Sequence, residues 1–310
     1  MNNIILDKVN AREEYLLASI EVTILSVLEI IVNLYLLIKA LKNKRFKTRK
    51  FFKNVIIIMS SIYIIHGLFE LILVSYYFIH YFLSIPIYLK VCTKLRVISS
   101  HWGEFLISTP IITTIIRFLL IVKEINSNIF IIILIFIIFN TPMFYIVISL
   151  LFEIETEYIY DEVCTFRLTS FKTIYLLLEK VNYGLLIALP ITSVILNYSI
   201  YLYVIKQRKL NKSGESVINS KKFFYSISIQ SICPLLGQIP TIILAFHLSM
   251  TNESNYLAWR IIDGIYFLGN SFCVLLSLII LKEFRRMILE DIYYLKKKIK
   301  TCLIYLLIVI

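Results

Sequence analysis

The chain has 310 residues, a net charge of +12, a hydrophobic fraction of 59% and a mean hydropathy of +0.83. An ordinary soluble domain holds roughly 45–50% apolar residues, so this composition excludes one and points to a bundle in lipid. A basic excess is one signature of nucleic-acid binding, but about 23 of the 32 Lys and Arg sit in or beside alternate loops, which makes it a membrane-orientation signal instead.

Residues 1–14 carry Asp7, Glu13 and Glu14 and lack the basic start, apolar run and small-residue cleavage site of a cleaved leader. The first span is therefore expected to act as an uncleaved signal anchor. Seven apolar stretches follow, at Tyr15–Leu41, Val55–Phe78, Leu95–Val122, Ile129–Leu151, Ile174–Ile205, Phe223–Leu248 and Tyr256–Leu281. Each reaches the ~20 residues a helix needs to cross a hydrocarbon core ~30 Å thick. The expected fold is an all-α membrane protein: an extracellular segment 1–14, one seven-helix bundle over 15–281 and a cytoplasmic tail 282–310.

The connections alternate in charge. Lys42–Lys53, Lys206–Lys222 and Lys282–Lys300 are strongly basic, and Arg117 and Lys123 fall on the same side. The other side holds scattered cations and one acidic loop, Phe152–Phe171, with Glu153, Glu155, Glu157, Asp161 and Glu162 around Cys164. The positive-inside rule then places the N-terminus outside and the C-terminus inside. The loop Lys42–Lys53 interleaves cations with aromatics and reads as a snorkelling, lipid-facing anchor. In the tail, Phe284, Ile288, Ile292, Leu295 and Ile299 share an apolar stripe flanked by Arg285, Arg286 and Lys296–Lys298, as in a helix lying along the inner leaflet. Cys302–Ile310 is apolar but too short to span. Cys302 is a candidate for palmitoylation or a plain buried thiol. Asn252 begins a glycosylation sequon close to the membrane on the outer side. No internal repeat is visible.

Two of the five cysteines lie outside under this topology: Cys92 at the outer entry of the third span and Cys164 in the acidic loop. Outside the cell two such thiols can pair, pinning that loop over the third span, or they are two unrelated buried thiols. This arrangement of seven spans and two cysteines resembles the G-protein-coupled receptors. In that family an arginine lies 25 positions after the third-helix cysteine, and the same count from Cys92 lands on Arg117 in Ile116-Arg117-Phe118. The triplet resembles the family's Asp/Glu-Arg-Tyr, with Ile116 in place of the acid that restrains the arginine. Twenty-five helical residues rise ~37 Å, enough to join the two faces of a membrane. A lone arginine at a helix end is otherwise a snorkelling anchor.

Further residues match in part. Pro190 and Tyr198 resemble the fifth-helix proline and tyrosine of the family, Asn33 its first-helix asparagine, and Cys233-Pro234 its Cys-Trp-x-Pro without the Trp. Asn270-Ser271-Phe-Cys-Val274 lacks the Pro and Tyr of Asn-Pro-x-x-Tyr. Gln230-x-x-Cys-Pro and Leu281-Lys-Glu-Phe-Arg-Arg286, with a bias to Ile, Asn, Lys and Tyr, resemble nematode serpentine chemoreceptors over about residues 15–290. The resemblance implies a plasma-membrane receptor of sensory neurons, a heterotrimeric G protein as partner, and Arg117 and Tyr198 at its docking cleft. Pro190, Pro234 and Pro240 permit kinks where the fifth and sixth helices would move.

Charges within spans need a partner or a purpose, since each costs at least ~2.5 kcal/mol to insert. Glu29 and Asn33 share a helix face, as do His66 with Glu70, His101 with Glu104, and Arg260 with Asp263. The candidate ligand site opens outward and comprises Glu70, His101, Trp102, Glu104, Asn182, Tyr183, Gln238, Asp263 and Tyr266, for a small molecule or short peptide. The plainer reading is interhelical hydrogen bonding at ~0.6–2 kcal/mol per pair. No cofactor or metal cluster is expected, and no His-Glu-x-x-His, Gly-x-Ser-x-Gly or pair of aspartates at catalytic spacing is present. The last span has no lysine to carry a retinal Schiff base. The rival function is a transporter or ligand-gated channel using Glu29, Glu70, Glu104 and Asp263 as an ion path.

Overall fold

The computed structural model describes residues 8–43, 46, 50–123, 129–210, 224–226, 228–233, 236, 239–241, 243–244 and 256–309. Its long helices are α1 (Leu16–Lys42), α2 (Lys50–Phe82), α3 (Leu89–Val122), α4 (Ile129–Leu151) and α5 (Thr173–Leu210). The helical residues between 224 and 244 form α6, and α7 (Tyr256–Ile279) and α8 (Lys282–Val309) follow. Among the described residues six helices are long and apolar enough to cross a membrane. The expected sixth span, Phe223–Leu248, lies largely outside the described residues.

The lipid-facing pattern is plain on α1. Leu17, Ile24, Ile31 and Ile38 recur every seventh residue and are all exposed, while Ser26, Glu29, Asn33, Leu36 and Ala40 are buried. A helix that is apolar outward and polar inward suits a solvent that offers no hydrogen bonds. Three helices outrun the apolar stretches that mark them: α2 starts at Lys50, α3 starts at Leu89 and α5 ends at Leu210. The added turns are basic, so hydropathy alone stops short of them. Pro190 lies inside α5 as expected, and Pro110 and Pro142 lie inside α3 and α4.

Two apolar clusters mark the ends of the bundle. At one end Val9, Tyr15, Leu73, Tyr77, Ile87 and Cys92 pack together with Val163 and Cys164. Here β1 (Lys8–Val9) pairs antiparallel with β2 (Ile87–Tyr88), and Cys92 is bonded to Cys164 with their Cα atoms 5.8 Å apart. The bridge ties α3 to a hairpin of β3 (Thr156–Tyr160) and β4 (Phe166–Ser170), registered Thr156 to Ser170 through Tyr160 to Phe166. The acidic loop is thus a folded hairpin, and the two outer cysteines do pair.

At the other end Leu36, Ala40, Phe46, Ile56 and Met59 pack with Leu278, Leu281 and Phe284. The chain turns at Leu281, whose carbonyl accepts from Phe284 and Arg285, and continues directly into α8. Two features of the tail depart from expectation. The helix runs on to Val309 instead of ending near Lys300, and the predicted stripe divides. Phe284 and Ile288 are buried against the bundle with Met287, whereas Ile292 is exposed. Asp291 fastens α8 to α1, accepting from Tyr35 Oη at 2.6 Å and Lys39 Nζ at 2.8 Å. The side chains of Leu295 and Ile299 lie outside the described residues.

Candidate functional site

At the hairpin end the helices open around a cavity of about 420 Å³, lined mainly from α1, α2, α3, α5 and α7 and from the hairpin, with Leu150 of α4 and Thr241 of α6. Six of the nine residues picked from the sequence line it: Glu70, His101, Glu104, Tyr183, Asp263 and Tyr266. Asn182 stands behind the wall, its Nδ2 donating to Glu104 Oε2 at 2.7 Å. Trp102 does not belong to the site. Its indole N–H donates to the Ile62 carbonyl at 3.2 Å and its ring packs against Phe69 and Phe105. Neighbours on a helix point roughly 100° apart, so Trp102 cannot share the direction of His101. Gln238 and Pro234 lie outside the described residues; Pro240 is helical and half-buried.

The lining carboxylates differ in how they are held. Glu104 Oε1 faces His101 Nδ1 at 2.9 Å, so with Asn182 both its oxygens are oriented. Glu70 accepts from the Ser99 hydroxyl and lies 4.0 Å from His66 Nε2. The other ring nitrogen of His66 reaches the fully buried Glu29 at 3.1 Å, making a network from α1 through α2 to α3. Asn33 donates to the Glu29 main-chain carbonyl at 2.9 Å, leaving that carboxylate for the imidazole. Arg260 and Asp263 share a helix face but form no ion pair with each other among the described residues. Arg260 Nη2 turns outward to the Glu14 carbonyl at 2.8 Å and to Glu162 at 3.6 Å.

A side chain reaching from α7 to the backbone of α3 joins these helices at the cavity. Tyr266 of α7 donates its hydroxyl to the Gly103 carbonyl of α3 at 3.2 Å. A Cβ at position 103 would stand 2.6 Å from that hydroxyl, so glycine is what admits the tyrosine.

Of the three cavity cations, Arg96 and Arg167 read in the sequence only as scattered outer charge, and Arg260 as a span charge on one face with Asp263. Arg96 Nε lies 3.8 Å from Asp161 Oδ2. Burial pushes the Glu162 carboxyl upward, against the opposing pull of Arg260. A sequence signal for this rim did exist. The alternation in Thr-Glu-Tyr-Ile-Tyr and Phe-Arg-Leu-Thr-Ser marks two short strands, and folding them back brings Asp161, Glu162 and Arg167 together over the third helix.

The opposite end holds a second polar assembly. Arg117, 5% exposed, donates from Nη1 to Asn197 Oδ1 of α5 at 2.9 Å. Asn197 Nδ2 donates to Thr114 Oγ1 at 3.1 Å, and Thr114 and Ser193 hydroxyls meet at 2.9 Å. Ser193 in turn meets Ser231 of α6 at 2.8 Å, while Gln230 Nε2 donates to Ser277 Oγ of α7 at 3.0 Å. The expectation that Arg117 lacks a restraint because Ile116 replaces an acid is corrected: an amide on the adjacent helix holds it. Tyr198 is not that partner. It is half-exposed and packs against Tyr201 and Phe224.

No protein-family model and no curated protein matches this chain. A solved structure does: the chain is similar to that of squid rhodopsin, with a TM-score of 0.63 over 91% of this chain and 86% of that one, at 13% sequence identity. What the likeness establishes is the architecture, and the chain has a rhodopsin-like seven-helix fold.

Proposed function

We propose that the chain is a chemosensory G-protein-coupled receptor, of the nematode serpentine kind, in the plasma membrane of sensory neurons. One observation carries the reading. Within a rhodopsin-like bundle, a charged cavity occupies one end and a buried arginine, bonded across α3 and α5, occupies the other. A small molecule or short peptide in the cavity would touch α2, α3, α5 and α7 together, and so favour one packing of these helices over another. Its energy can shift the equilibrium only by the difference in affinity between the two packings.

Glu70, His101, Glu104, Tyr183, Asp263 and Tyr266 are the contact residues in this reading, with Asn182 positioning Glu104. At the far end, parting of α5 and α6 from α3 would release Arg117 to a G protein, and the exposed Tyr198 would lie beside the opening. Pro190 supplies α5 with a point of flexure. The basic loops and α8 would face the anionic inner leaflet, which puts the hairpin and N-terminus outside.

The test is nucleotide exchange. The purified chain in lipid nanodiscs should accelerate exchange on a heterotrimeric G protein, and Arg117→Ala should abolish the effect. Arg117→Lys should restore it in part, because an ammonium lacks the planar fork of donors. Tags at each end should be reached by antibody on intact cells only at Met1. The rival reading, a transporter or channel, draws on the titratable network of Glu29, His66 and Glu70 beside the cavity. Ion flux through the chain without any G protein would establish the rival and refute the receptor.

A further inference from the structure

The cavity of the proposed receptor has a charge balance that narrows what can enter it, and the inference below rests on that reading of the cavity as the ligand site. Its lining carries six carboxylates, Glu70, Glu104, Asp161, Glu162, Glu179 and Asp263, against three guanidiniums. With both lining imidazoles, His66 and His101, counted as cations, carboxyl groups still outnumber basic groups by six to five. Among the described residues no further Lys or Arg lines the wall. Between residues 223 and 259, which include the undescribed parts of α6 and the connection to α7, the sequence contains no Lys or Arg.

The carboxylates are not equivalent. Asp161 and Glu162 are engaged by Arg96 and Arg260, and Glu70 by Ser99 and His66. Glu179 on α5 and Asp263 on α7 make no hydrogen bond or ion pair among the described residues, although both line the cavity and neither is exposed. Glu104 on α3 lines the same cavity with its oxygens already oriented. Desolvated carboxylates without a directly bonded partner are costly, and a cation brought in by a ligand relieves that cost.

The rest of the wall favours an organic cation over a metal ion. Among the described residues no group of three or more His, Cys, Asp or Glu is disposed to hold a metal. Tyr15, Tyr160, Tyr175, Tyr183, Trp259 and Tyr266 supply six aromatic rings to the same lining. Electron-rich ring faces attract ammonium groups and take up the carbon frame around them. We propose that the cavity is a site for a small organic cation, an amine or quaternary ammonium compound, seated among Glu104, Glu179 and Asp263 with aromatic walls.

The experiment reads the site's charge preference directly and needs no G protein. Ser100 lines the cavity from α3, and Ser100→Cys in the full chain places a thiol there. Its rate of modification is measured with two methanethiosulfonates, one carrying trimethylammonium and one carrying sulfonate, and each rate is divided by that of a free thiol. The unsubstituted chain gives the background from its own cysteines. The cationic reagent should be favoured by at least about tenfold, falling as salt is raised. Adding Glu179→Gln and Asp263→Asn should remove most of that preference. Neither carboxylate holds a structural bond, so these near-isosteric changes leave the fold intact, and surface expression checks that they do. Equal normalised rates, or a faster sulfonate, would overturn the proposal, as would a preference unchanged in the doubly substituted cavity. Failure of nucleotide exchange with this preference intact would refute the receptor and leave the cation site standing.

Discussion

Removing the Asn197 amide should destabilise the bundle through Arg117, by an amount that can be estimated. Asn197 is 1% exposed, and it accepts from the guanidinium and donates to Thr114. A hydrogen bond to a charged group contributes about 1.5–3 kcal/mol. A neutral bond between membrane helices adds ~0.6 kcal/mol. Asn197→Leu, which keeps the volume, should therefore cost about 2–4 kcal/mol, most of it from leaving a buried charge with one partner fewer. In thermal unfolding of purified protein that is a fall of about 5 °C or more. The informative measurement is the cycle with Arg117→Leu. If the two side chains stabilise each other, the double variant should lose less than the two singles combined, with a coupling of about 1–3 kcal/mol. Asn197→Asp, which keeps the acceptor, should recover much of the loss. Additivity within about 0.5 kcal/mol would mean that Arg117 owes its place to packing and that the bond to Asn197 contributes nothing.

Gly103→Ala should force α3 and α7 apart at the Tyr266 hydroxyl and cost about 1–3 kcal/mol, with Tyr266→Phe relieving it; no rescue would place the strain elsewhere. Cys92→Ser opens a loop of 72 residues, worth about 4 kcal/mol of chain entropy, so surface expression should drop sharply, and unaltered expression and melting would count against a structural role. Burial raises the Glu153 carboxyl, but Lys94 at 3.0 Å and Lys90 at 3.1 Å outweigh it and hold the group below its ordinary value. Their stabilisation is therefore complete above the ordinary carboxylate range and lost as pH falls through the lowered one. The melting temperatures of the parent chain and Glu153→Gln should differ near neutrality and converge in acid. A difference that persists in acid would assign it to something other than the ion pairs.

The fold was legible where lipid imposes a strong rule. A helix in hydrocarbon must be apolar for about 20 residues, and six of the expected spans coincide with helices of the structure. The rule falls silent at the headgroups, which is why the basic turns at Lys50 and at Leu89–Lys94 carry no span signal. Pairs on one helix were also legible, since the spacing of His101 with Glu104 fixes a shared face. Contacts between helices were not. Asn197 is adjacent to the tyrosine that the family resemblance singles out, yet only the packing of α5 on α3 turns the amide, and not Tyr198, toward Arg117. Trp102 failed for the opposite reason, as nearness in sequence to two site residues says nothing about direction. The meeting of Arg96 and Arg167 at the cavity depends on the hairpin, whose return path sets which charges come together.

An amide at position 197 has one more consequence. A carboxylate beside an arginine is a proton-sensitive catch, weakening whenever the acid is neutralised. Asn197 has no proton to gain near neutrality, so its bond to Arg117 is indifferent to acidity. The opposite mouth of the molecule, crowded with carboxylates and imidazoles, has no such immunity. Acidification would thus be registered at one pole of the bundle, while the strength of that latch at the other stays constant.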